Sequence, residues 1–208
     1  MATEFTLVRH GETAANRETV IQGQTDVPLS PAGEEQARAL GRRWRGRHFD
    51  AVYASDLSRA MRTAELALPG EPAIPTPKLR EWDLGYWCGL SIEEIAVRFP
   101  EEYAACRSGE PDCRLGGGES RRDLVERAES FFLDAARRHP GEKVLAVTHA
   151  GVIRALFTLL AGWQAAAPMV GNTAICVVDC DPEIGRWRLI RWNDTAHLET
   201  PALDGDAY

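Results

Sequence analysis

The stretch "TLVRHGETAANR", Thr6–Arg17, decides the fold. It continues "EFTLV", an apolar run with the length and composition of a buried strand. The run stops on Arg9 and His10, two cationic or ionisable side chains in a row, and then on Gly11. Open α/β sheets bind ligands just beyond the carboxyl ends of their strands. Two further segments repeat the pattern. "DAVYAS" ends at Ser55-Asp56, with Arg59 one turn into the next helix, and "KVLAVTH" ends at Thr148-His149, followed by Ala150-Gly151 and another helix. With these three strands side by side, two histidines and two arginines gather in one place.

Helical patterns separate the strands. "LSPAGEEQARALGRRW" offers Ser30 as a cap, Pro31 in the first turn, and Ala37, Leu40 and Trp44 on one face. "DLSRAMRTAELAL" offers Asp56 as a cap and a stripe of Leu57, Ala60, Met61, Ala64 and Leu68. Residues 69–118 are rich in Pro and Gly and hold only short helical pieces, around Ile92–Phe99 and Glu101–Arg107. They read as a lid-like insertion in a single domain spanning 1–208. "ESRRDLVERAESFFLDAARRH" is a long amphipathic helix and "GVIRALFTLLAG" a buried one; "TAICVVDC" and "RWRLIRWN" close as strands. Helices alternating with apolar strands predict an α/β fold, a three-layer α/β/α sandwich around a mostly parallel sheet.

Composition sets limits. A chain of 208 residues buries a sizeable core. The net charge of -7 argues against nucleic acid or an anionic membrane as partner, so an anionic substrate needs a local cationic pocket. No bilayer-spanning apolar run and no signal-peptide pattern occurs. The five cysteines, Cys88, Cys106, Cys113, Cys176 and Cys180, are odd in number and form no C-x-x-C. The expectation is reduced thiols in a cytoplasm, with neither a disulfide framework nor a zinc site.

The strand-end cluster has the chemistry of a phosphate pocket. Arginine forks match phosphate oxygens, helix N-termini add N–H donors, and glycine admits close backbone approach. Nearby cations lower a histidine's pKa and favour the neutral, nucleophilic ring. Two arginines repel a metal ion, so neither metal nor other cofactor is expected.

"LVRHGET" resembles the R-H-G motif of the histidine phosphatase superfamily, which includes the cofactor-dependent phosphoglycerate mutases. The likeness runs in order along nearly the whole chain, through Asn16, "QGQTDVPLSPAGEEQA", "SDLSRAMRTAE", "LREWDLGYWCGLS", "GGES" and "VTHAGVIRAL". The resemblance implies that His10 is the nucleophile and passes through a phosphohistidine. It implies that Arg9, Arg59 and His149 hold the phosphoryl group and that Asn16 and Gln22 line its site. Glu81, in "LRE", would protonate the leaving oxygen and then activate water; a neighbouring phosphate dianion should raise its pKa. His197, in "NDTAHLET", is a candidate substrate contact. Cys88 stands where many relatives carry an acid, which alters the local shape of the pocket.

The implied activity is metal-independent hydrolysis of a small phosphorylated metabolite. The alternative is phosphoglycerate mutase activity, although the mutases of the family carry extra segments for which this chain is too short. A non-catalytic phospho-ligand module is the third reading, and the intact set Arg9, His10, Arg59, Glu81 and His149 argues against it. Relatives include dimers and tetramers, so a homo-oligomer is admitted. Other signals recede. Cys180, in the C-x5-R spacing of "CDPEIGR", sits between two aspartates that disfavour a thiolate. Gly116–Gly118 reads as a flexible connection. Arg38, Arg42, Arg43, Arg45 and Arg47 read as a solvated helix end.

Overall fold

The computed structural model of the chain describes residues 1–198. Six strands, β1 (Thr3–Arg9), β2 (Ala51–Ser55), β3 (Ile74–Thr76), β4 (Lys143–Thr148), β5 (Ile175–Asp181) and β6 (Arg186–Asp194), form one sheet in the order β3-β2-β4-β1-β5-β6. The first four are parallel, and β5 and β6 are joined to them and to each other in antiparallel fashion, β5 against β1 and β6 against β5. The three strands whose ends carry the cluster are adjacent, as the sequence predicts. Arg9 lies level with Thr148 in the register, and the His10 N–H bonds the Thr148 carbonyl at 2.9 Å.

Alternation sends Phe5, Leu7, Val144, Ala146, Cys176 and Val178 to one face and Val8, Leu145, Val147 and Val177 to the other. Helices α6 (Arg121–Arg138) and α7 (Ala150–Ala161) cover the first face; α2 (Pro31–Arg43) and α3 (Ser58–Ala67) cover the second. Strands buried on both sides need such near-continuous apolar runs. The remaining helices are a short α1 (Ala14–Arg17) and, in the long connection before α6, α4 (Ile92–Arg98) and α5 (Pro100–Arg107). No helix of the described residues is long and apolar enough to cross a membrane.

Ser30 caps α2 through the Gly33 N–H, as expected. Asp56 does not cap α3. Leu57 occupies that position without a side-chain bond, and the Asp56 carboxylate instead takes two bonds of 2.7 Å from Arg80. A bidentate arginine fork outcompetes the local N–H.

The connection before α6 has a small core in which Leu84, Trp87, Ile95 and Leu115 are buried together with Ile21 from the loop after α1. Its two ends are stitched side by side. The Trp82 indole N–H bonds the Glu119 carbonyl at 2.9 Å, the Glu119 N–H bonds the Asp83 carbonyl at 2.8 Å, and the Asp83 N–H bonds the Glu119 carboxylate at 3.0 Å. The Gly116–Gly118 run is this crossing and not a flexible link. Gly116 and Gly117 have positive φ, and a Cβ on Gly116 or Gly118 would collide with the carbonyl of Leu84 or Asp83. The connection also departs from the expectation of free thiols: Cys106 and Cys113 form a disulfide, their Cα atoms 5.5 Å apart. Seven residues of separation let the chain turn back from the end of α5 and bring the two Cβ atoms together. Cys88, Cys176 and Cys180 are free, and burial pushes the Cys180 thiol up to about 11.

Candidate active site

Each member of the cluster is placed by the end of an element. Arg9 and His10 leave β1, His149 is the N-cap of α7 after β4, and Arg59 lies in the first turn of α3 after β2. All four are buried, Arg59 and His149 completely. The His10 and His149 rings stand 5.0 Å apart between centroids. Arg59 donates to the Gly23 and Thr25 carbonyls at 2.8 and 2.7 Å, and Arg9 to the Val170 carbonyl at 2.7 Å.

His10 Nδ1 lies 2.7 Å from the Gly11 carbonyl. A carbonyl only accepts, so Nδ1 carries the proton and the lone pair sits on Nε2. Burial first, and then the Arg59 and Arg9 charges, hold the His10 pKa well below the ordinary histidine value. The same causes, with burial leading and Arg59 next, depress His149. Both His149 ring nitrogens are buried and bond to no described residue. Either ring nitrogen can therefore donate to or accept from a bound group, according to the tautomer.

Glu81 faces the cluster from the start of the connection before α6 and is 7 % exposed. Its carboxylate accepts from the Trp82 N–H at 2.8 Å and from the Gly151 N–H at 3.3 Å. Only glycine leaves the carboxylate in this place, because a Cβ on residue 151 would collide with Glu81 Oε1. Asn16 and Gln22 meet at Thr13, whose N–H lies 3.2 Å from Asn16 Oδ1 and whose hydroxyl lies 2.9 Å from Gln22 Oε1. His197 stands one residue back. Its Nε2 is 2.9 Å from the Thr173 hydroxyl, and burial, followed by the Arg43 charge, brings its pKa down to about 4. Cys88 sits half-buried beside Gly23, the residue that holds Arg59.

Two groups escaped the sequence reading. Arg127, on α6, donates to the carbonyls of Lys78, Arg80 and Glu81 and grips the Glu119 carboxylate with two bonds of 2.7 Å. It fixes the backbone on which Glu81 rides. Asn172 and Thr173 brace the R-H-G backbone from the turn before β5: the Asn172 amide donates to the His10 carbonyl at 3.0 Å and the Thr173 N–H to the Arg9 carbonyl at 3.0 Å. A helix-face arginine and a polar turn look ordinary in sequence; only the long-range fold gives them these partners.

The model of the histidine phosphatase superfamily (branch 1) matches residues 5–195. The chain is 36 % identical to a metal-independent phosphoserine phosphatase of Arabidopsis thaliana over 99 % of this chain and 89 % of that protein. It is 32 % identical to a probable phosphoglycerate mutase of Salmonella typhi over 95 % of this chain and 96 % of that protein. A phosphoserine phosphatase mutant of Entamoeba histolytica, solved with phosphoserine, superposes with a TM-score of 0.85 at 28 % identity, covering 94 % of this chain and 99 % of that one. A mycobacterial glucosyl-3-phosphoglycerate phosphatase, solved with VO3, superposes at 0.81 with 32 % identity over 91 % and 98 %. The motifs in order, the family model and the fold agree that the chain belongs to the histidine phosphatase superfamily.

Proposed function

We propose that the chain is a metal-independent phosphatase that hydrolyses small phosphate monoesters through a phosphohistidine on His10. One observation carries the proposal: the His10 Nδ1–H is spent on the Gly11 carbonyl, which leaves Nε2 a free base in a pocket made cationic by Arg9 and Arg59. A phosphate dianion is drawn between the two guanidiniums and the unpartnered His149 ring. Nε2 attacks phosphorus in line, and the P–O bond to the alcohol breaks. The Glu81 carboxyl gives its proton to the leaving oxygen. The resulting Glu81 carboxylate takes a proton from water, whose oxygen attacks phosphorus, breaks the P–N bond and frees phosphate. The guanidiniums stabilise the charge on the equatorial oxygens, which is the main requirement of phosphoryl transfer. Asn16 and Gln22 line the rim of the phosphate site, and the segment from Asp83 to Glu119 acts as the lid that selects the alcohol.

Phosphoserine and glucosyl-3-phosphoglycerate phosphatases among the relatives make carboxylate-bearing phosphoesters the first compounds to try. The test is phosphate release in EDTA from phosphoserine, the phosphoglycerates, sugar phosphates and an aryl phosphate, with His10→Ala alongside. Enzyme quenched in alkaline denaturant is probed for a phosphoryl group that survives base and is lost on acidification. Release by wild type alone, with the label on His10, is expected. Interconversion of phosphoglycerates without release would make the chain a mutase, and turnover by His10→Ala would end the mechanism.

A further inference from the structure

The turn that leads into β5 holds a strained residue against the nucleophile. Thr173 is fully buried and has a φ of 55°, a left-handed conformation that a β-branched side chain avoids. Its N–H bonds the Arg9 carbonyl at 3.0 Å and reaches the His10 carbonyl at 3.3 Å. The Asn172 amide takes the His10 carbonyl as well, at 3.0 Å. Glycine would adopt this φ without strain. Threonine keeps it only where its neighbours over-determine it.

The neighbour that does so comes from the chain after β6. The Thr173 hydroxyl has a single proton, and it goes to the Asn172 carbonyl at 2.7 Å, since a carbonyl only accepts. The hydroxyl oxygen therefore accepts from His197 Nε2, 2.9 Å away, and the ring proton sits on Nε2. Burial, and then the Arg43 charge, keep this ring neutral at pH 7. The segment that carries His197 is anchored at two points. Asn193 Oδ1 accepts from the Gly171 N–H at 2.8 Å, and Arg43 of α2 grips the Asp194 carboxylate with bonds of 2.8 and 2.6 Å. The Ala196 N–H, next to His197, bonds the same carboxylate at 3.1 Å. His197 thus ends a brace that runs from α2 to the back of the R-H-G segment.

We propose that His197 is a positioning residue for the nucleophile: its Nε2–H locks Thr173 in the left-handed conformation that clamps the Arg9 and His10 carbonyls, and so aims the His10 ring at phosphorus. This rests on the phosphatase reading, in which His10 attacks, and deepens it. His197 acts through the backbone and does not touch the substrate. Its loss therefore slows attack on every ester alike and leaves the binding of the ester as it was. A nucleophile misplaced by about 1 Å loses on the order of a hundredfold in rate. One neutral hydrogen bond removed from behind a braced turn should cost about tenfold.

The test is single-turnover phosphorylation of His10, followed by rapid quenching in alkaline denaturant, with an aryl phosphate and with the best alkyl ester of the panel, each over a range of concentrations. The plateau rate reports attack, and the half-saturation concentration reports affinity for the ester. The final amplitude counts folded enzyme, so instability alone moves neither. His197→Leu should slow attack about tenfold on both esters, with affinity within about twofold of wild type. His197→Gln, whose amide can donate from the same place, should recover most of the rate. In a Thr173→Gly background the left-handed turn needs no lock, so His197→Leu should cost less than about threefold there. Attack by His197→Leu at the wild-type rate overturns the proposal. So does a loss of affinity confined to one ester, which would make His197 a substrate contact, and so does an undiminished loss in the glycine background. These failures leave the phosphatase reading standing, whereas a wild type that forms no phosphohistidine would bring down both.

Discussion

Gly151→Ala separates the chemistry of Glu81 from the stability of the fold. Gly151 lies in the first turn of α7 with ordinary helical backbone, so alanine gains about 0.5–1 kcal/mol of helix propensity there. The new methyl takes the place of Glu81 Oε1 and forces the carboxyl to swing away from the Gly151 and Trp82 N–H groups. The lost bonds offset the propensity gain, and the net change in stability should stay within about 2 kcal/mol. Turnover should change far more. A misplacement of about 1 Å costs on the order of a hundredfold, and the whole contribution of a general acid is about 10²–10⁴. We expect kcat/KM for alkyl phosphates to fall about a hundredfold, or about 2.7 kcal/mol of barrier. An aryl phosphate with a good leaving group needs little protonation and should fall about tenfold or less. The assay is steady-state phosphate release on both ester types beside thermal unfolding. Alkyl phosphate turnover within threefold of wild type, at unchanged melting temperature, would refute the role of Glu81. Equal losses on both esters would place the clash on the phosphate site instead.

Arg59→Lys keeps the charge but loses the fork held by the Gly23 and Thr25 carbonyls; kcat should drop about a hundredfold with an unchanged circular dichroism spectrum, and a loss below threefold would count against the pocket. His10 and His149 titrate well below the ordinary value and His197 at about 4, while the unfolded chain takes up those protons near 6.5. Folding stability from these groups is therefore full above about pH 7 and declines below 6.5, by about 1.4 kcal/mol per histidine per pH unit, until the folded values are reached. Melting curves between pH 7 and 5 should show this slope, made shallower in His10→Gln. Arg127→Met unfastens the backbone of Glu81 and should lower stability by about 2–3 kcal/mol and alkyl phosphate kcat by at least tenfold, read by calorimetry and initial rates. Cys106→Ser opens a short disulfide loop whose closure is worth about 2.5 kcal/mol to the lid. Limited proteolysis should speed up between residues 106 and 113 while the sheet domain melts as before.

The cluster was legible because its members sit at the ends of adjacent parallel strands, where an apolar run that breaks on polar residues points to a ligand. Arg9, His10 and His149 announce themselves in that way, and Arg59 follows from its place one turn into a helix. The adjacency of β2, β4 and β1 was legible for the same reason. What stayed hidden depends on partners distant in sequence. Asp56 looks like a helix cap until Arg80 arrives across 24 residues. β3, whose core is Pro75 between Ile74 and Thr76, is too short and proline-marked to read as a strand, yet it takes the edge of the sheet beside β2, the position that proline tolerates. The Cys106–Cys113 pair was hidden by an odd cysteine count, since two of the three remaining thiols serve simply as small buried apolar groups.

The stitched ends of the long connection have a consequence for how this chain can change. Trp82, Asp83 and Glu119 close a ring of hydrogen bonds beneath the inserted segment, and Arg127 ties that ring to α6. Everything beyond the ring hangs from this neck and from a second tie, in which the Ile21 N–H bonds the Leu90 carbonyl at 2.9 Å and the Gly89 N–H bonds the Ile21 carbonyl at 2.8 Å. Insertions, deletions or replacements between residues 92 and 114, clear of both ties, should therefore be exchangeable like a cassette, with Glu81 left in place. A library varied only within those bounds would sample new alcohols on constant chemistry, and a chimaera that keeps the neck should inherit the donor's preference at the recipient's intrinsic rate.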